Sequence, residues 1–175
     1  MRIWRRHGER YNQNCIVEKD SNRGGSVCVW GCIGTYDKSD LIHFNGNVNA
    51  AIYMDEVIND QVVPLFAGRP NLTFMHDNAR PHTARATRDH LTNLGIPVLP
   101  WPAISPDLNP IEHMWDEVER RLRARPIPPN NLRQLRVALT EEWQSIPRDR
   151  IRRLINSMRR RCEAVVAANG GHTRY

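Results

Sequence analysis

Blocks of hydrophobic and polar residues predict an antiparallel strand pair early in the chain. Between Ser26 and Ile33, β-branched residues and a tryptophan follow the turn-forming run Asn22–Gly25, a pattern typical of a β-strand. A polar turn at 37–40 then leads into the short apolar run 41–44. This arrangement predicts that the second run returns beside the first as a hairpin.

The middle of the chain predicts a helix followed by a strand, a helix and a strand. Apolar residues recur every three or four positions over 48–62 and stop before Pro64, as in an amphipathic helix. The short apolar run 72–77 predicts a buried strand, 81–94 a helix, and 96–99 another strand. A strand, a helix and a strand in so short a stretch predict a parallel βαβ unit.

The C-terminal third is predicted to be helical after a proline-rich loop at 100–106. A helix is expected over 110–125, a proline linker at 126–129, and further helices over 132–143 and 150–168. The last helix carries Ile151, Leu154, Ile155, Met158, Cys162 and Val165 on one side. Arginines occupy most of the rest, so this face is either solvated or in contact with phosphates.

Composition favours a single soluble domain with a polyanionic partner. The chain has 175 residues, 40% of them hydrophobic and 25% charged, which is enough for one core. We therefore expect one domain, with a catalytic core over 1–125 and the linker and basic helices over 126–175. No apolar run is long enough to span a membrane, and the N-terminus lacks a signal-peptide core, so no membrane partner and an intracellular protein are expected.

The net charge of +6 and the isoelectric point near 9.6 rank nucleic acid above an acidic small molecule as a partner. The residues expected to contact DNA phosphates are Arg152, Arg153, Arg159, Arg160 and Arg161. Trp101, in the proline-rich loop, is the tryptophan expected to be exposed enough to stack on a base.

Cysteines 15, 28, 32 and 162 form no paired zinc motif and are expected to be buried, reduced thiols.

Two carboxylates stand where a metal site could form. Asp77 ends the predicted buried strand 72–77, and Glu112 lies in the first turn of the helix after the proline-rich loop. Since 112 minus 77 is 35, thirty-four residues lie between them. Hard cations such as Mg²⁺ prefer oxygen ligands from separate rigid elements, and phosphoryl transfer commonly uses two such ions. Asp107 and Asp116 are further candidates nearby.

Structural roles explain the same residues without a metal. In Asn109–Glu112, the asparagine can cap the helix, the proline can start it, and Glu112 can reach back to the cap amide. Asp77 can cap the turn that follows it. A histidine at position 82 is more often a surface residue than a ligand. From local pattern alone, the capping role is the preferred interpretation of Glu112.

Three motifs in order nevertheless resemble one known family, the Tc/mariner superfamily of DNA transposases. These motifs are Trp30–Ile33, His76–His82 and Trp101–Trp115, and the end segments 3–11 and 170–175 are similar to the family as well. The string Ser105–Glu112, whose glutamate follows Asp77 after thirty-four intervening residues, is specific for the Asp-Asp-Glu form of the superfamily.

This resemblance implies an α/β ribonuclease H-like fold, a mixed sheet flanked by helices, with a helical C-terminal extension. Asp77 and Glu112 would be the second and third members of a catalytic, metal-binding triad, and Asn78 and His82 would help shape the site. Two Mg²⁺ ions would serve cleavage of transposon ends and strand transfer into target DNA. The resemblance also suggests action in the nucleus and leaves a homodimer open.

The chain departs from the family pattern at its start. The family's first catalytic aspartate lies on an opening strand, ahead of the segment that Ile3–Arg6 resembles. Ahead of the helix predicted over 48–62, only Asp20, Asp37 and Asp40 are available, all in predicted turns. We therefore expect an N-terminally truncated catalytic domain, without the opening strand, that is weakly active or inactive alone. The alternatives are a non-enzymatic DNA-binding remnant of a transposase and another metal-dependent nuclease on the same fold.

Overall fold

An antiparallel hairpin opens the part of the chain that the computed structural model describes, which comprises residues 25–35, 37–69, 71–102 and 108–169. Strands β1 (Cys28–Trp30) and β2 (Ile42–Phe44) pair with Val29 opposite His43, and a further antiparallel bridge joins Ile33 to Lys38. The predicted hairpin is confirmed, although its regular strands are shorter than the apolar runs.

A single continuous helix follows the hairpin. This helix, α1, starts as an α-helical turn (Ala50–Ile52), continues as a π-helix (Tyr53–Val62) and ends as an α-helical turn (Val63–Phe66). The prediction that it stops before Pro64 was wrong. Pro64 lies in the terminal α-helical segment, so the helix continues for two residues beyond it although proline donates no backbone hydrogen bond.

The βαβ unit is present with very short strands. Phe74 and Val98 form a parallel bridge, with Phe74 N donating to Pro97 O at 2.8 Å and Leu99 N donating to Phe74 O at 2.8 Å. The connecting helix is divided at Ala84 into α2 (Arg80–Thr83) and α3 (Arg85–Asn93). Gly95 ends the unit's helix with φ of +66°, a left-handed conformation that glycine adopts without strain.

Four helices complete the described chain: α4 (Pro110–Arg123), α5 (Leu132–Ser145), α6 (Arg148–Asn156) and α7 (Met158–Ala167). The single helix predicted over 150–168 was wrong, because Ser157 interrupts it and bonds through Oγ to Leu154 O at 2.6 Å. Beyond this interruption, Arg161 is buried, whereas Cys162, predicted on the apolar side, is exposed.

Two hydrophobic clusters hold the elements together. The first joins β2, α1, Phe74 and α3, and its buried members are Phe44, Tyr53, Val57, Ile58, Val62, Phe74, Leu91 and Ile96. The second joins the hairpin to the C-terminal helices, and its buried members are Leu41, Met114, Val118, Trp143, Ile146, Ile151 and Leu154. Residues from 1–125 and from 126–175 thus share the second cluster.

Gly31 illustrates how closely the hairpin and α5 approach each other. A Cβ placed on Gly31 would lie 2.8 Å from Cζ2 of Trp143, closer than side chains pack. Trp143 is fully buried and stacks on Trp115, with ring centroids 5.0 Å apart. Because Gly31, directly after β1, has no side chain, the indole of Trp143 fits against the hairpin backbone.

The described cysteines differ in their exposure to solvent. Cys28, Cys32 and Cys162 are all free thiols, but Cys28 and Cys162 are exposed, so the expectation that they are buried was wrong. Burial raises the pKa of the Cys32 thiol to about 11. Cys15 lies outside the described residues. Among the described helices, none is both long and apolar enough to cross a membrane.

Candidate functional site

Asp77 lies three residues beyond the parallel bridge at Phe74, at the end of the segment predicted as a buried strand. Its side chain is 55% exposed. The Oδ1 atom accepts a hydrogen bond from Ala79 N at 3.0 Å, so the predicted capping of the following turn is confirmed. Within the described chain, no hydrogen bond of Asp77 uses Oδ2. The capping role therefore leaves Oδ2 without a hydrogen bond on a side chain that is more than half exposed, so this oxygen is available to a cation.

His82 contacts Asp77 directly. Its Nδ1 lies 2.6 Å from Asp77 Oδ1 and 3.2 Å from Asp77 O, and because a carboxylate only accepts, Nδ1–H is the donor. The imidazole is 17% exposed, so it is half-buried rather than a free surface side chain. Residues 78–81 bring His82 back over Asp77, where the adjoining rings partly cover it.

Tyr53 and His76 complete an aromatic cluster around His82. The His82 ring lies 4.2 Å from the Tyr53 ring and 4.9 Å from the His76 ring, to which it is nearly parallel at 4°. The Tyr53 hydroxyl lies 3.0 Å from His76 Nδ1. The pattern analysis missed Tyr53; the signal that could have revealed it is a tyrosine on the buried face of a helix, whose hydroxyl requires a partner.

The protonation states of this cluster follow from its burial. Burial lowers the pKa of His76 to about 4, with a contribution from nearby His82, while Asp77 opposes the shift. Burial also raises the pKa of Tyr53 far above its usual value of 10. At neutral pH, His76 is therefore uncharged and Tyr53 keeps its proton. The phenol O–H can therefore donate a hydrogen bond to the unprotonated Nδ1 of His76.

Asn78 joins this region to the loop that leads toward Glu112. Its Nδ2 donates to Trp101 O at 2.9 Å. Trp101 itself is half-buried rather than fully exposed, and it lines a cleft of about 740 Å³ together with His76, Asn78 and His82. Trp101, the tryptophan predicted to stack on a base, thus lies beside Asn78, the residue that follows Asp77.

Glu112 lies in the first turn of α4, as predicted. Asn109 is the N-cap, with its Oδ1 accepting from Ile111 N at 3.3 Å, and Pro110 is the first helical residue. Glu112 N donates to Asn109 O at 3.2 Å, and its side chain is partly buried. Asp107 lies outside the described residues, and Asp116 is exposed.

The carboxylates of Asp77 and Glu112 are chemically suited to a hard divalent cation, which binds oxygen ligands. In the described ranges, no group of three or more histidine, cysteine, aspartate or glutamate side chains is placed to hold a metal ion. Within those ranges, then, Asp77 offers an oriented oxygen without a hydrogen bond rather than a closed cage.

The basic helices present four of the five predicted arginines to solvent: Arg152, Arg153, Arg159 and Arg160 are exposed. Arg161 is 4% exposed and donates from Nε to Ser157 Oγ at 2.8 Å. Its guanidinium would have to leave the protein interior to reach a phosphate. The structure therefore corrects the predicted DNA-contacting set by removing Arg161.

Comparison with known proteins identifies the family. The model of the family described as DDE superfamily endonuclease matches residues 1–136. The Tcb1 transposase of Caenorhabditis briggsae is 36% identical over 172 residues, covering 96% of this chain and 61% of that protein. The Tc1 transposase of Caenorhabditis elegans is 36% identical over 171 residues, with the same coverages. The chain thus spans about three fifths of the length of these curated relatives.

Solved structures give the same result. The catalytic domain of Mos1 transposase, solved with raltegravir and Mg, matches with a TM-score of 0.71 at 30% identity, covering 85% of this chain and 76% of that one. The Mos1 mariner paired-end complex with Mn matches with a TM-score of 0.72 at 29% identity, covering 94% and 50%. The predicted ribonuclease H-like fold is confirmed. The chain belongs to the DDE superfamily of endonucleases and is homologous to the Tc1, Tc3 and mariner transposases.

Proposed function

We propose that this chain is part of the catalytic domain of a cut-and-paste transposase, in which Asp77 and Glu112 bind the divalent metal used for DNA cleavage and strand transfer. Three findings support the proposal: the family match, the more than half exposed carboxylate of Asp77, and the position of Glu112 at the start of α4. The related Mos1 catalytic domain was solved with Mg and with Mn, which suits a site built from carboxylates.

The observation that carries the proposal is the hydrogen bond from Asn78 to Trp101 O. Asn78 directly follows Asp77, and Trp101 begins the loop that leads to Asn109 and Glu112. A bond between these segments ties the end of one carboxylate's strand to the loop that delivers the other carboxylate. The proposed roles of Asn78 and His82 are accordingly to hold this loop and the Asp77 side chain in place.

Mg²⁺, two ions in the intact site, would polarise the scissile phosphate and stabilise the charge on the attacking and leaving oxygens. The residues of this chain bind and orient. Asp77 and Glu112 provide oxygen ligands, while His82 donates to Asp77 Oδ1 and thereby restricts the carboxylate to one orientation. A further carboxylate from outside the described residues is required to complete a three-acid site.

DNA, both transposon ends and target, is the proposed partner. The net charge of +6 and the exposed arginines of α6 and α7 support it, as does a Mos1 paired-end complex with a left transposon end. Trp101, beside the cleft, is the proposed base-stacking residue. Action in the nucleus and a homodimeric assembly belong to the same proposal, by analogy with the family.

Binding of Mn²⁺, followed by electron paramagnetic resonance, tests the metal assignment. We expect Asp77→Asn and Glu112→Gln each to weaken Mn²⁺ binding about tenfold or more, because each removes an anionic ligand. Asp89→Asn is the matched control, since Asp89 is an exposed carboxylate on α3 that pairs with Arg85. Wild-type affinity in both site variants would refute the assignment. Retained DNA binding would then favour the alternative of a non-enzymatic DNA-binding remnant.

A further inference from the structure

Tyr53 lies at the centre of the contacts that hold His82 against Asp77. It is 1% exposed and is the first residue of the π-helical segment of α1. Buried residues of this segment recur at 53, 57, 58 and 62, at intervals of four and five, which fits the wider i→i+5 turn of a π-helix. This winding keeps Tyr53 on the buried face together with the aliphatic core residues, although its ring ends in a polar group.

Tyr53 touches both histidines by different means. Its ring packs on the His82 ring at 4.2 Å, and its hydroxyl lies 3.0 Å from His76 Nδ1. His76 in turn stacks on His82 at 4.9 Å. One tyrosine therefore supports His82 twice, directly through ring packing and indirectly by fixing the second ring that packs on it.

The support that Tyr53 gives to His82 also affects the orientation of the Asp77 carboxylate. Oδ1 is held by two donors, Ala79 N and His82 Nδ1, and within the described chain Oδ2 carries no hydrogen bond. An imidazole that could rotate or move away would release one of these donors and allow the carboxylate to turn. Partners outside the ligand shell commonly tune metal affinity by fixing ligand orientation in this way.

We propose that Tyr53 is a positioning residue for the metal site, acting through His76 and His82 to hold Asp77 with Oδ2 presented to the cation. This inference rests on the proposed function of Asp77 as a metal ligand. A merely structural role makes a different prediction: loss of the Tyr53 hydroxyl would lower stability and leave the metal affinity of the folded protein unchanged.

Tyr53→Phe is the informative variant, because it keeps the ring packing and removes only the hydroxyl. We expect it to weaken Mn²⁺ binding to the folded chain about tenfold, the lower end of the range for partners outside the ligand shell. Ser157→Ala is the control: it removes another buried hydroxyl, one that donates to Leu154 O at 2.6 Å and accepts from Nε of the buried Arg161 at 2.8 Å. This control is expected to cost at least as much stability as Tyr53→Phe and leave Mn²⁺ affinity unchanged.

A double-variant cycle tests the route of the effect. If Tyr53 acts through His82, adding Tyr53→Phe to His82→Ala will weaken Mn²⁺ binding no further. Fully additive losses, or a wild-type dissociation constant in Tyr53→Phe, would overturn the inference. Asp77→Asn separates the two proposals, because an unaffected Asp77→Asn contradicts the proposed function itself, whereas a weakened Asp77→Asn beside an unaffected Tyr53→Phe contradicts only the role of Tyr53.

Nitrogen-15 NMR of the imidazoles provides a readout without metal. In the wild type, we expect His82 to be held with the proton on Nδ1, facing Asp77 Oδ1. Tyr53→Phe should shift His82 toward a mixture of tautomers, and Ser157→Ala should not. Retention of a single Nδ1–H signal in Tyr53→Phe would contradict the proposed support.

Discussion

The indole Nε1 of Trp143 donates a hydrogen bond to the backbone oxygen of Ser39, 2.9 Å away, and so joins α5 to the turn of the hairpin. Both partners are buried. Lys38 strengthens the same junction, because its Nζ donates to Gln144 O at 2.9 Å and Ile146 O at 3.1 Å, where the carbonyls at the end of α5 lack helical partners. The C-terminal helices are thus anchored to the N-terminal hairpin by directed bonds as well as by apolar contact.

Trp143→Phe should therefore destabilise the chain by about 2–4 kcal/mol, since it leaves a cavity and an unsatisfied buried carbonyl. Urea unfolding measures the change. Val137→Ala, an exposed position on the same helix, serves as control and should stay within about 0.5 kcal/mol of wild type. Equal midpoints for the two variants would show that the junction contributes little.

Glu117 on α4 pairs with Arg150 on α6. From this pairing we predict that the free energy of unfolding falls in acid. The Glu117 carboxylate accepts from Arg121 at 2.7 Å and from Arg150 at 2.9 Å. Burial raises the pKa of Glu117, but the hydrogen bonds from Arg150 and Arg121 outweigh it and hold the pKa below the usual 4.5. The folded state therefore favours the charged form. Its stabilising contribution is complete above pH 4.5 and is lost as pH falls through the lowered pKa.

Glu117→Gln should cost about 2–4 kcal/mol at pH 7, because it leaves charged groups imperfectly paired. The difference from wild type should shrink as pH falls below 4.5. Chemical unfolding at pH 7, 5, 4 and 3 measures this convergence. A difference that stays constant with pH would indicate lost packing rather than lost charge. Glu119→Gln, an exposed pair with Arg123 on the same helix, is the control.

The environment of His43 leads us to predict a second loss of stability, in a higher pH range than the loss expected from Glu117. His43 lies in β2, its Nε2 is 2.8 Å from Thr140 Oγ1 of α5, and its Nδ1 is buried without a hydrogen bond in the described chain. Burial, with a contribution from Arg136, lowers the pKa of His43 below its usual 6.5. The folded state thus favours the neutral form, so stability is complete above pH 6.5 and is lost as pH falls through the lowered pKa.

His43→Gln removes this titration while keeping a side chain able to bond Thr140. We expect the wild type to lose more free energy of unfolding than His43→Gln between pH 7 and pH 5. His90→Gln, at a histidine that bonds Asn59 away from this interface, should follow the wild-type curve. Parallel curves for wild type and His43→Gln would show that His43 is not the titrating group.

Arg153 and Arg160 are the arginines we expect to contribute most to DNA binding. Both are exposed, and neither forms an ion pair with the described residues, whereas Arg152 pairs with Asp149 and Arg159 with Glu163. Replacing each with glutamine should weaken binding to any DNA sequence and reduce the salt slope of the logarithm of affinity by about 0.9 per contact. Fluorescence anisotropy of labelled DNA, recorded at salt concentrations from about 50 to about 200 mM, measures this slope.

Arg133→Gln, an exposed arginine of α5, tests whether any lost charge has the same effect. It should leave the slope unchanged. An equal reduction in all three variants would indicate a diffuse effect of net charge and contradict specific contacts by α6 and α7.

Local chemistry let the sequence alone predict the hairpin, the βαβ order, the start of α4 at Pro110 behind the Asn109 cap, and the family itself. The structural elements among these depend on residues adjacent or nearly adjacent in the chain, where turn preference, capping and hydrophobic period are expressed directly. The family resemblance depends on the order and spacing of three short motifs, which the sequence also shows directly. The capping of the turn by Asp77 belongs to the same class, since its partner Ala79 is two residues away.

Only the tertiary structure decided which side chains meet across the fold. Tyr53 reaches His76, twenty-three residues away, because α1 packs across the segment that contains Phe74. The rings of Tyr53 and His76 in turn pack on His82, which is half-buried. Arg161 turns inward, where its Nε donates to Oγ of Ser157 at the break between α6 and α7. Helical period and residue type do not encode such contacts, because burial depends on which distant element occupies the adjoining space.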